Sequence, residues 1–147
     1  MVGVALLVPV GSDCLVVADL QGMLMLPCGA VHDGQTLHEA GHRILSGPAG
    51  DLQLLRRVAV DWVQTRRRKV ITHLLAVLSA TPDTVERLIY RDPRATVRVM
   101  PTLRLLDQVQ PTTRTRIVVG LHALATGETF SMEGGAVPAE PPTKVPV

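Results

Sequence analysis

Residues 26–52 read LPCGAVHDGQTLHEAGHRILSGPAGDL. Thr36 starts a helix in this stretch. Thr36 and Glu39 have the spacing of a capping box, in which each satisfies a backbone donor at the helix start. SGPAG at 46–50 stops the helix, because Gly and Pro both disfavour its continuation. At about 100° per residue, Leu37, Ala40, Gly41, Ile44 and Pro48 share one third of the circle. That apolar face is expected to meet a core. His38, Glu39, His42 and Arg43 lie on the other side and are expected to face solvent.

HEAGH at 38–42 also fits H-E-x-x-H, the zinc pattern with two His on one helix face. A catalytic zinc needs a third protein ligand and an open position. The extended pattern needs Gly at 45 and His at 48. This chain has Leu45 and Pro48 there. The sequence therefore gives no metal site here, and whether His38 and His42 bind a metal stays open.

Upstream of the helix, residues 2–10 and 14–19 are rich in Val and Leu and predict a β-hairpin around GSD. MLMLP at 23–27 predicts a short strand. Downstream, 52–63 and 69–79 predict two strands with QTRRR as the tip between them. A helical turn is expected near TVERLI, a strand at 97–100, and a turn at Pro101 into a short helix at TLRLLDQ. Residues 112–126 form an amphipathic helix, with Ile117, Leu121 and Leu124 at helical spacing and Gly127 as its stop. ETFSME followed by GG predicts a last strand and turn. This order gives an α+β or α/β/α sandwich, a mixed β-sheet flanked by helices, as one domain over 1–137. Residues 138–147 are Pro-rich and read as a flexible tail.

The chain has 147 residues, 46% hydrophobic and 19% charged. That is a globular composition. Its apolar runs are shorter than the roughly 20 residues needed to span a bilayer. No basic residue precedes the first apolar run, so no secretory leader is expected, and the location expected is cytoplasmic. Net charge is +2, yet 13 of 15 basic residues are Arg, in clusters at 56–57, 66–68 and 87–98. Arg suits phosphate and carboxylate recognition through its planar fork. The chain has one Trp, one Tyr and one Phe. That is too few stacking platforms for a single-stranded nucleic-acid binder, and it argues against a nucleic-acid partner. The basic runs are read first as solvated hairpin tips. Cys14 and Cys28 form no C-x-x-C pair and are expected to be reduced thiols.

The stretch at 26–52 resembles the Nudix box, G-x5-E-x7-R-E-U-x-E-E-x-G-U, where U is a bulky apolar residue. Gly29, Gly34, Glu39, Arg43, Leu45 and Gly50 fall on matching positions, and Glu39-Ala40 is a frequent pair in the family. VAVDW at 58–62, VRVMPTLRLLD at 97–107 and the segment from Arg116 to Val137 are also similar to elements of the family. The last of these resembles actinobacterial members. The likeness covers residues 2 to about 137 and implies a Nudix fold.

The family's chemistry is not carried over residue by residue. Its box glutamates hold Mg or Mn against a diphosphate, and hard cations need several oxygen ligands. The matching positions here are Gln35, Ile44, Gly47 and Pro48. The resemblance therefore implies a protein that binds a nucleotide, a phosphorylated or hydrophobic small ligand, or a protein partner. No cofactor is expected.

Two alternatives stay open. One is a metal-independent cyclase, isomerase or hydrolase of secondary metabolism, with His73, Cys28, Asp61 and Asp33 as candidate acid–base or nucleophilic groups. The other is a residual hydrolase of nucleoside diphosphate derivatives, which would need Mg or Mn on carboxylates outside the box, such as Asp33, Asp51, Asp61, Asp83 or Asp92. Trp62, Arg66 and Arg68 are the candidate ligand-binding residues. The family commonly dimerises, so a homodimer is one partner the resemblance implies. Arg43 is expected to support the loop before the helix.

Overall fold

The computed structural model describes residues 1–47 and 52–136. Pro48, Gly50, Asp51 and the Pro-rich 138–147 lie outside the described residues. The first half of the chain runs β1 (Val2–Leu7), β2 (Pro9–Val10), β3 (Cys14–Leu20), β4 (Met23–Met25), β5 (Cys28–Ala30), α1 (Leu37–Ile44) and β6 (Leu45–Ser46). Then come β7 (Leu54–Gln64), β8 (Lys69–Val77), α2 (Pro82–Glu86), β9 (Ile89–Tyr90) and β10 (Thr96–Pro101). The described chain ends with α3 (Thr102–Leu106), α4 (Pro111–Thr126) and β11 (Phe130–Glu133).

The main sheet has the order β11-β7-β8-β1-β5. It is mixed: β11 is parallel to β7 and β1 to β8, while β7–β8 and β1–β5 are antiparallel. A second sheet has the order β10-β3-β2, with β4 also on β3, and β6 pairs with β9.

Side chains alternate across a strand, so the main sheet has two apolar faces. On one, Ala5, Leu7, Val58, Leu74 and Ala76 pack with Ile117 and Ala123 of α4. On the other, Val4, Leu6, Leu75 and Val77 pack with Ala40 and Ile44 of α1. The molecule is thus an α/β/α sandwich around a mixed sheet. Gly120 brings α4 close to the sheet: a Cβ there would lie 2.7 Å from Leu74 and 3.0 Å from Leu7.

The expected hairpin at 2–10 and 14–19 exists only between β2 and β3. The chain breaks at Val8-Pro9, and β1 turns away to lie parallel to β8. Pro9 has no N–H to give a ladder, which suits a change of sheet at this point. Strands β5, β6 and β9 are two or three residues long, too short to leave an alternation in the sequence. The helices fall close to expectation. Gly127, in the left-handed region at φ 78°, ends α4, the usual use of glycine after a helix.

Candidate functional site

The loop before α1 is closed by its own side chains. Gln35 N–H donates to His32 O at 3.0 Å, and His32 N–H donates to the Gln35 amide oxygen at 3.0 Å. Thr36 N–H donates to Glu39 at 3.0 Å and Glu39 N–H to the Thr36 hydroxyl at 3.1 Å, so the capping box is formed in both directions. These bonds favour the charged carboxylate and hold Glu39 below the usual carboxylate range.

Of the box-like positions, Gly34 is in the left-handed region at φ 81° and Leu45 is fully buried. Ala40, Gly41 and Ile44 are buried as the helical wheel requires, and His38 and His42 are exposed. Arg43 Nη2 donates to Ala30 O, tying α1 to β5. At the positions where the box has glutamates, Gln35 spends its oxygen inside the loop, Ile44 is fully buried and Gly47 has no side chain. Among the described residues, no three His, Cys, Asp or Glu side chains gather closely enough to hold a metal ion.

The α1-bearing face of the sheet is only partly covered. Pairing places Glu133, Trp62, Ile71 and Val2 in one row, and Val31 continues it through its N–H to Val2 O at 2.9 Å. This row crosses all five strands, roughly 19 Å at the usual strand spacing. Ile71, Val2, Val31 and Trp62 are half-buried and Glu133 is exposed. A cavity lies at each end. One, of about 650 Å³, is formed by Val2, Val31 and the loop residues His32, Asp33, Gln35 and Leu37. The other, of about 620 Å³, is lined by Trp62, Gln64, Lys69, Ser131, Glu133 and Gly134. Lys69 Nζ sits 3.9 Å from the Trp62 ring centre. This is a cation–π contact between diagonal neighbours on β7 and β8. Arg66 and Arg68 are exposed on the tip of the β7–β8 hairpin, where Arg68 Nη1 donates to Met1 Sδ at 3.8 Å.

The remaining candidates are spread out. His73 is half-buried on the same face, one row inward beside Val60 and Val4. An Arg57 guanidinium N–H lies 3.3 Å from its Nδ1. That contact suits the neutral ring with its proton on Nε2. Burial, and secondarily Arg57, hold its pKa below the usual His value, since both disfavour the charged ring. A lowered folded-state pKa means that the native state binds fewer protons than the unfolded chain as pH falls below about 6.5. Stability from this source is complete above that pH and is lost as pH falls toward the folded-state value. His73→Gln is therefore expected to flatten the fall in melting temperature between about pH 7 and 5.5. A slope equal to that of the wild type would refute this assignment.

Asp61 lies on the opposite face, 2% exposed. Its Oδ2 accepts Arg116 Nε–H at 2.8 Å and is ion-paired with Arg116 Nη2 at 2.8 Å, and its Oδ1 accepts Gly135 N–H at 3.0 Å. Cys28 is bracketed by the Tyr90 hydroxyl, which accepts Cys28 N–H at 3.3 Å and donates to Cys28 O at 3.0 Å. Asp33 is in the exposed loop, and Asp83 is exposed on α2. Asp92 is held by Arg94, whose hydrogen bonds lower its pKa to about 2. The structure thus brings together Trp62, Lys69, Glu133 and, one row in, His73. It places Asp61 and Cys28 elsewhere.

Two roles were not read from the sequence. Lys69 lies over Trp62, a contact that follows once the hairpin register is known. Arg56, counted with the basic runs, is not a solvated tip residue. It donates to Ala123 O at 2.8 Å and Glu128 O at 2.9 Å. A cation there satisfies the C-terminal end of α4.

No family profile matches this chain, and no curated protein sequence matches it. Solved structures do. A Nudix hydrolase from Nitrosomonas europaea superposes at TM-score 0.61 with 11% identity, over 90% of this chain and 76% of that one. The Nudix domain of Shewanella oneidensis NrtR, complexed with ADP ribose, gives 0.61 and 12%, over 84% and 88%. RenU, a Nudix hydrolase from M. smegmatis, gives 0.59 and 17%, over 86% and 84%. At these identities the likeness establishes the fold, and the fold is that of Nudix hydrolases. No helix among the described residues is long and apolar enough to cross a membrane.

Proposed function

We propose that this chain is a Nudix-fold ligand-binding protein that does not work through the family's Mg- or Mn-dependent diphosphate hydrolysis. Its ligand is a nucleotide or related phosphorylated metabolite held on the open sheet face. The observation that carries this reading is the Trp62–Lys69 cavity, taken with a box-like helix, toward the other end of the sheet face, whose metal-face position, Ile44, is in the core. A hard cation needs several oxygens, and Gln35, Ile44 and Gly47 do not offer them, so the family's metal does not fit these residues.

Trp62 supplies a stacking surface for a planar ring, and Lys69 with Arg66 and Arg68 supplies positive charge for a phosphate. The ADP ribose bound by the Shewanella domain makes adenine nucleotides the first ligands to try. Trp62 is the only tryptophan, so its fluorescence reports on this cavity alone. Titration with ADP and ADP ribose in EDTA is expected to give a saturable change. By calorimetry, Trp62→Ala should weaken binding about tenfold or more, in line with about 1–3 kcal/mol for a stacked base. Magnesium-dependent release of phosphate products from the same compounds would overturn the reading in favour of a residual hydrolase.

A second reading is supported by His73, held neutral on the same face one row from Trp62. A neutral imidazole suits a metal-independent enzyme that moves a proton during cyclisation, isomerisation or hydrolysis. Turnover of a bound ligand in EDTA that is abolished by His73→Gln would favour it.

A further inference from the structure

Strand β10 is an edge of the second sheet, and among the described residues it pairs with β3 alone. Thr102 N–H donates to Asp13 O at 2.8 Å, which fixes the phase of that ladder. Polar groups alternate in direction along an antiparallel strand, so Thr96, Arg98 and Met100 turn theirs toward β3. Those of Val97, Val99 and Pro101 point off the edge. Val16, opposite Val99, agrees with this phase, because its N–H turns the other way to Val8 O at 3.0 Å. Among the described residues nothing accepts from Val97 or Val99 N–H. A row of unmet donors and acceptors on a strand edge is a template for one more strand.

The side chains beside this edge are apolar. Val97 and Val99, with Val85, Leu88 and Ile89, line an open groove of about 570 Å³. Val99 is 37% exposed and Ile89 68%. Arg98, on the other face, does not guard the edge, because Asp19 of β3 holds it at 2.7 Å. What the edge accepts follows from its own residues. Two symmetric registers of β10 against a second β10 engage Val97 and Val99 N–H of both copies. One centres on Arg98 and sets it directly opposite Arg98 of the second copy, a like-charge pair that destabilises. The other centres on Val99. Val99 then exchanges both its backbone bonds with Val99 of the second copy, Val97 N–H donates to Pro101 O, and Arg98 faces Met100. Pro101 has no N–H, and in this register it is asked only to accept. The two-fold keeps both grooves on one side of the joined sheet, so the exposed Val99 side chains adjoin along the seam.

We infer that the free edge of β10 joins a second copy of this chain as an antiparallel strand pair centred on Val99, which makes one continuous sheet across a two-fold axis. The contact belongs to the second sheet, not to the one that carries Trp62, and does not depend on ligand binding there. A strand of 6 residues covers less than a standard interface, so the dimer exchanges with the monomer and its fraction depends on concentration.

The test is sedimentation equilibrium of the full chain over a concentration series, where a dimer fraction that rises with concentration is expected. Val99→Pro removes the central N–H without touching a bond to β3, and should raise the dissociation constant about tenfold or more. Val99→Lys, which sets two charges face to face across the two-fold, should do the same. Val118→Lys, on the exposed side of α4, should leave it unchanged. The Lys variant decides if the Pro variant does not fold. Oxidative cross-linking reads the register, with the wild type as the blank for Cys14 and Cys28. Val99→Cys should give a covalent dimer, since facing residues of a hydrogen-bonded pair lie about 5.5 Å apart at Cα, within disulfide reach. Arg98→Cys should give less. A chain that stays monomeric at every concentration overturns the inference. So does a dimer unchanged by Val99→Pro and Val99→Lys, or one that Arg98→Cys links in preference to Val99→Cys.

Discussion

Asp61→Ala is expected to lower the unfolding free energy by about 3–5 kcal/mol, the usual cost of removing one partner of a buried ion pair. The residue is 2% exposed, and its carboxylate accepts hydrogen bonds from Arg116 Nε and Gly135 N–H and is ion-paired with Arg116 Nη2. Alanine would leave the mostly buried Arg116 guanidinium without its counter-charge. It would also release the turn after β11, where Gly135 has no space for a side chain because a Cβ would sit 2.5 Å from Thr112. Urea unfolding measures the loss, and a cycle with Arg116→Met separates the pair from its surroundings. The double variant should be no less stable than Asp61→Ala, because no unpaired charge is then left behind. A loss below about 1 kcal/mol in Asp61→Ala would show that Arg116 is solvated once its partner is gone, and that the pair does not hold α4 to the sheet.

The second large effect is expected at Gly120. A valine there should destabilise by about 2–3 kcal/mol, the usual cost of overpacking a filled core. Its branched Cβ would meet Leu74 and Leu7 and approach Val58 Cγ2, 3.7 Å from the Cβ position. Gly120→Ala should cost less. Its single methyl meets the ends of two leucine side chains, and alanine is favoured over glycine in a helix by about 1 kcal/mol. The order wild type, alanine, valine in falling stability is the checkable result. A valine variant as stable as the wild type would mean that α4 can lift from the sheet without cost.

These two positions show where reading the sequence stopped. Local signals were legible: the capping box at Thr36 and Glu39, the apolar wheel through Ala40 and Ile44, the Gly127 stop, and the long strands on either side of QTRRR. Each depends on residues a few positions apart. Asp61 could be seen as an acid among apolar neighbours, but its partner Arg116 is 55 residues away and nothing in the spacing joins them. Gly120 sits inside a helix read from Ile117, Leu121 and Leu124, and only the approach to β1 and β8 shows why a side chain is absent there. The same holds for the candidate site. Trp62 was identifiable as a single residue. The row linking it to the box-like loop, and the Lys69 ammonium over its ring, needed the register of strands far apart in the chain.

The pairing of β1 with β8 also governs the order in which the molecule assembles. Val2 meets Ile71, and Phe130 of β11 meets Ala59, so both parallel ladders join strands nearly half the chain apart. On a ribosome the first strand, VGVALL, has no sheet partner from this ladder until β8 has emerged. Closure over such separations makes folding slow relative to helix-rich chains of this size, since the entropy of each long loop is lost before its contacts form. Until then the edge of this apolar strand that β8 will cover is open to other chains. Yield on expression should therefore respond more to the rate of synthesis and to chaperone supply than to changes on the solvent face of α4.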